Sequence, residues 1–112
     1  MHVDKKIVEL VTTMVVCHDK GDFDGLKSLM DSSAIEGKDT FFTQKRFNEV
    51  RKQIHEELGR FEQLEYLGSL TKVNSLHTVW KARYSNTRDE IMWQARVSLD
   101  KDVPKIIRMS VN

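Results

Sequence analysis

The sequence predicts an α+β fold, with three N-terminal helices packed on a strongly bent four-stranded antiparallel sheet. Three observations predict it. Apolar residues recur every three or four positions as far as Leu58, then every second position from Phe61 onward. Gly21 and Gly59 close helical patterns, as residues that follow a last helical turn do. Gly68 sits inside the first alternating segment, where a sheet that curves around helices needs a bulge or bend.

The first helix is expected over residues 4–20, with Val3, Ile7, Leu10, Val11, Met14 and Cys17 or His18 forming its apolar stripe. Asp22 is placed to cap a short second helix that shows Phe23, Leu26, Leu29 and Met30 on one side. Residues 31–41 are rich in turn formers and read as a loop, with Ala34 and Ile35 its only strand-like pair. The third helix has the clearest start. Thr43 is the N-cap, and Phe42 and Phe47 are spaced as a hydrophobic staple. Phe47, Val50, Ile54 and Leu58 then form its stripe.

Four strands follow. Segment 61–73 is the least regular. In 76–84, Leu76, Thr78, Trp80, Ala82 and Tyr84 share one face. In 90–99, Ile91, Trp93, Ala95, Val97 and Leu99 do the same, and in the last strand Ile107, Met109 and Val111. Short turns between them imply a meander with one buried and one wet face. Pairing Ala82 with Trp93 and Trp80 with Ala95 alternates large and small side chains in the core layer. Pairing Val97 with Ile107 continues it.

The 112 residues fit one domain spanning 1–112. An apolar fraction of 39% argues against disorder, and a net charge of +1 gives no field to steer nucleic acid or a membrane. No apolar run approaches the roughly 20 residues that span a bilayer. Cys17 alone provides neither an internal disulfide nor a cysteine zinc cluster. With a charged start and no signal-like apolar core, the expected location is cytoplasmic, and no cofactor or metal is expected. A faint calcium-loop pattern at Lys20–Gly25 fails because lysine stands at the first ligand position.

The candidate pocket comprises His18, Tyr66, Thr78, Trp80, Tyr84 and Trp93. A buried tyrosine hydroxyl can orient a carbonyl or oxyanion, and a pocket histidine can act as a base. The bland alternatives are amphipathic core tyrosines and a helix-terminal histidine, and they carry more weight. His55 is expected beside the helix stripe and exposed. The outer sheet face carries His77, Val79, Lys81, Arg83, Met92, Gln94, Arg96 and Arg108. Its mix of apolar and arginine residues suits a homodimer interface. The lack of aromatics there weighs against nucleic acid.

The stretches Gly21-Asp22-Phe23, Phe42-Thr43-Gln44 and Leu58-Gly59-Arg60-Phe61, with the aromatic strands ending in Lys105-Ile106-Ile107, resemble the cystatin-like cone of the nuclear-transport-factor-two-like superfamily. The likeness is greatest to its small bacterial families of uncharacterised function. It implies a bent sheet wrapped around helices with a cavity at the wide end. The superfamily includes isomerases, dehydratases, cyclases and non-catalytic modules, so fold does not select function. None of its catalytic motifs maps onto these residues. The expectation is a small-ligand-binding or dimerisation module, with a small apolar ligand as its occupant. The alternative is a proton-transfer enzyme using His18, Tyr66 or Tyr84 with Glu65 or Asp24.

Overall fold

In the computed structural model, residues 4–35, 42–100 and 102–112 are described. Val3 and the loop stretch 36–41 lie outside them. The order is α1 (Lys5–Lys20), α2 (Phe23–Leu29), α3 (Ser32–Ile35), α4 (Gln44–Glu57), β1 (Phe61–Lys72), β2 (Ser75–Tyr84), β3 (Ile91–Ser98) and β4 (Ile106–Val111). One sheet has the strand order β1-β2-β3-β4, every pair antiparallel. No described helix is long and apolar enough to cross a membrane.

The helix ends follow from side-chain chemistry. The Asp4 carboxylate accepts from the Lys6 N–H, and Gly21 at φ 80° ends α1 in the left-handed conformation. The Asp22 carboxylate accepts from the Gly25 N–H, which starts α2 at the expected residue. The Thr43 hydroxyl accepts from the Arg46 N–H at 3.2 Å to start α4. Phe23 lies between the two residues expected to form the staple. It stacks on Phe42 and meets Phe47 edge-on, tying α2 to the start of α4.

Among the described residues there are four helices where the pattern predicts three. Ala34 and Ile35 belong to a helical turn, α3, and not to a loop or a strand. The Asp31 carboxylate accepts from both the N–H and the hydroxyl of Ser33, which nucleates that turn. Just before it, Met30 forms a parallel bridge with Ile106, and the Asp31 N–H donates to the Ile106 carbonyl at 2.7 Å.

The two indoles lie on the same face, as the alternation requires. Both are 1% exposed and pack with Val11, Met14, Val15, Ala82, Ala95 and Val97 in one core. The register differs from the expected one. Trp80 pairs directly with Trp93, Thr78 with Ala95 and Ala82 with Ile91. A slip of two residues keeps every side chain on its face, so the apolar pattern cannot distinguish the two registers. What selects the observed one is polar. Trp80 Nε1 donates to Thr78 Oγ1 at 2.7 Å, and that hydroxyl donates to the Ala95 carbonyl at 2.6 Å. With Ala95 opposite Thr78, the buried indole N–H and the buried hydroxyl are both satisfied.

Between β3 and β4 the expected offset holds from Trp93 to Arg96, where Ala95 faces Met109. A shift at Arg96/Val97 then brings Ile106 opposite Val97, so Ile106 is fully buried and Ile107 is the extra residue. Leu99 lies beyond β3 and is exposed. In β1 the register shifts between Tyr66 and Gly68, which places the bulge where the glycine implies it.

Candidate functional site

Across from β3 and β4, α4 forms the far wall of an open cleft of about 1030 Å³. Phe47, Val50 and Ile54 line the helical side. Ile91, Trp93, Met109 and Val111 line the strand side, with His18 between them. These walls follow from two periodicities. The α4 stripe recurs at three and four residues, and the inward side chains of β3 and β4 recur at two.

Of the expected pocket residues, the cleft gathers two, His18 and Trp93. The His18 ring is 4% exposed and meets Phe47 and Trp93 edge-on at centroid distances of 5.2 and 5.3 Å. Burial, and then the positive charge of Arg51, lowers its pKa to about 4. The imidazole is therefore neutral at physiological pH, with one nitrogen a donor and the other an acceptor.

The other four expected residues face inward but pack in the core. Tyr84 is buried, its hydroxyl accepts from Trp93 Nε1 at 3.0 Å, and burial pushes its pKa up to about 12. Tyr66 bonds to Ser69 Oγ at 2.7 Å and meets Trp80 edge-on. Thr78 and Trp80 are spent on each other, as above. Glu65 is on the outer sheet face beside Lys81, and Asp24 is exposed on α2. Cys17 is half-buried, and burial followed by the nearby Asp22 raises its pKa, so its thiol stays protonated.

One residue with no sequence signal ties three elements together. Asp19 is buried near the end of α1. Its Oδ2 accepts from Arg60 Nε at 3.0 Å and from a terminal Arg60 nitrogen at 2.9 Å. Its Oδ1 accepts from the Phe61 N–H at 2.9 Å and lies 3.3 Å from His55 Nε2. Its backbone carbonyl accepts from Arg51 Nε at 3.1 Å. Burial alone would raise the carboxyl pKa, but the hydrogen bonds from Arg60 and Phe61 hold it below the usual range. One side chain thus joins α1, α4 and the start of β1. His55, expected exposed, is half-buried against it. Asp19 follows the apolar stripe in sequence and its partners are 32 to 42 residues away, so local pattern cannot show it.

The outer sheet face is less basic than its arginines suggest. Lys81 Nζ lies 2.8 Å from Glu65 and 2.7 Å from Glu90, and these two hydrogen bonds raise its pKa. His77 bonds to Gln94 at 2.7 Å. Arg96 faces Arg108 across β3 and β4, and Arg96 Nε donates to Ser75 Oγ at 2.9 Å. Met92 is 38% exposed, and Val79 is half-buried beside Gly68.

No family model matches the sequence, and no curated protein matches it. Among solved structures, 95% of the chain superposes on Bdellovibrio bacteriovorus Bd1075 with a TM-score of 0.53 at 14% identity. The chain spans 40% of that protein's length. An NTF2-like protein of unknown function from Cytophaga hutchinsonii aligns with all of this chain and 93% of its own, with a TM-score of 0.44 at 12% identity, a likeness too slight to carry weight. Identities this low speak to fold and not to activity. The architecture is the one expected from the sequence, helices followed by an open four-stranded antiparallel sheet.

Proposed function

We propose that the protein is a binding module, and that its site is the cleft between α4 and the β3–β4 edge, taking an apolar group. The observation that carries this reading is the cleft itself. At about 1030 Å³ it is at the upper end of ligand-site sizes. Its walls are mostly apolar, and the histidine between them is neutral, so an apolar occupant meets no buried charge. Among the residues considered for proton transfer, His18 alone borders this space. That favours binding over the isomerase, dehydratase or cyclase alternative.

The test uses the apolar dye 1-anilinonaphthalene-8-sulfonate. Dye entering the cleft contacts Trp93, so indole emission falls as dye emission rises. A Val50→Arg variant, with charge on the α4 wall, should lose both changes. Equal dye response in the variant and the parent removes the cleft as the site.

A second reading, pairing of two copies through the outer sheet face, is favoured by the paired charge of Lys81 and the exposure of Met92. Neutralised charge next to apolar surface suits an interface core. Sedimentation at tens of micromolar should then show a dimer that Met92→Glu dissociates. A strict monomer excludes it.

A further inference from the structure

The wall of the cleft formed by β4 is a strand edge, and that determines what can bind there. β4 is last in the strand order. Met92 and Asn112 exchange both backbone hydrogen bonds, at 3.1 and 2.9 Å. Antiparallel ladders alternate, so Ser110 with Gln94 and Arg108 with Arg96 are the next hydrogen-bonded pairs along the register. Met109 and Val111 therefore turn their N–H and C=O groups away from β3. Among the described residues nothing pairs with this outer edge beyond Ile106, where Met30 and Asp31 attach. All six residues from Ile107 to Asn112 border the cleft, side chains of both faces included. A strand does that when its edge, and not one face, looks into the space.

The dimensions fit one more strand. β4 has 6 residues, about 20 Å at about 3.4 Å each. The cleft volume spread over that length has a cross-section of about 50 Å². One strand occupies about 4.8 Å between neighbours in a sheet and about 10 Å between layers, an almost equal area. A second copy would bring its own sheet and helices against α4, so the space suits one extended chain.

Charge narrows the choice. Arg96 and Arg108 stand directly opposite each other, an unfavourable cross-strand pair, and neither has a carboxylate within ion-pair distance among the described residues. Arg46 on α4 borders the cleft and, among the described residues, also lacks such a carboxylate. Among the described residues, Glu57 is the acid that borders it.

We infer that the occupant is an extended peptide segment of another protein. It adds a fifth strand to the open edge of β4, with alternate apolar side chains against α4 and an acidic residue beside Arg108. This rests on the binding-module reading and names its partner class. Backbone groups of Met109 and Val111 supply affinity without sequence preference. The apolar walls and Arg108 supply selectivity, as in other cases of strand addition.

The experiment uses a capped seven-residue peptide of alternating valine and glutamate. Two controls accompany it, one N-methylated on the amides of one strand edge and one with lysine replacing glutamate. Binding is read by Trp93 emission and by amide exchange at Met109 and Val111. The parent peptide should bind and slow exchange at both amides. Each control should bind about tenfold more weakly, and Arg108→Glu should reverse the glutamate-over-lysine preference. If the dye enters the cleft but the parent peptide does not bind, or the N-methylated peptide binds as well as the parent, strand addition is refuted while the binding-module reading stands. If neither dye nor peptide binds, both fall.

Discussion

Lowering the pH should weaken this fold through one imidazole. His18 in the folded protein titrates at about 4, against 6.5 for the free side chain, because burial and then Arg51 disfavour its charged form. The unfolded chain therefore takes up this proton first as pH falls. Stability from the neutral ring is fully present above about pH 7 and is lost progressively as pH drops toward 4. The full difference is about 3 kcal/mol, and about 2 kcal/mol of it is gone at pH 5. Urea unfolding at pH 7 and pH 5 measures the loss directly. The comparison is a His18→Phe variant, which keeps a ring against Phe47 and Trp93 but has nothing to protonate. Its stability should fall less over that interval, by about 2 kcal/mol. An equal fall in both proteins, or a His18 resonance that titrates near 6.5 in the folded state, refutes the reasoning.

Three other outcomes follow from groups already described. Asp19→Ala strands the Phe61 N–H and removes the partner of Arg60, so unfolding free energy should drop by about 2 kcal/mol or more in urea melts. Thr78→Val conserves shape but removes the only acceptor shown for Trp80 Nε1, and calorimetry should register a loss of about 1–3 kcal/mol. Gly59→Ala places a Cβ at φ 89° against the Ser85 hydroxyl and the Asn86 side chain. It should cost at least about 1 kcal/mol, seen as a lower thermal midpoint, while Gly68→Ala, where a Cβ meets open space, should cost less.

Helix ends were legible because capping is local. Asp22, Thr43, Gly21 and Gly59 lie within a few residues of the groups they satisfy, whereas the Asp4 cap of α1 is seen only in the structure. The shared face of Trp80 and Trp93 was legible because alternation fixes direction. Which residue stood opposite which was not, since a two-residue slip leaves the alternation unchanged, and the Thr78–Ala95 hydrogen bond that distinguishes the registers crosses between strands. The bulge at Val97 was also invisible, so Ile107 was expected where Ile106 is buried. At the site, His18 and Trp93 were found by their burial pattern. The cleft's other wall came from α4, whose approach to β4 is tertiary. Tyr66 and Tyr84 carry hydroxyls suited to a pocket, but these are engaged by Ser69 and Trp93 instead.

The Asp19 carboxylate has a kinetic consequence. Its partners at His55, Arg60 and Phe61 arrive from α4 and the start of β1, and each must be in place before the carboxylate oxygens can meet it. Bonds that depend on several distant arrivals form late on a folding pathway. Stabilisation gained after the barrier slows the reverse journey and leaves the forward one almost untouched. Removing the carboxylate should thus shorten the life of a folded molecule more than it slows the making of one.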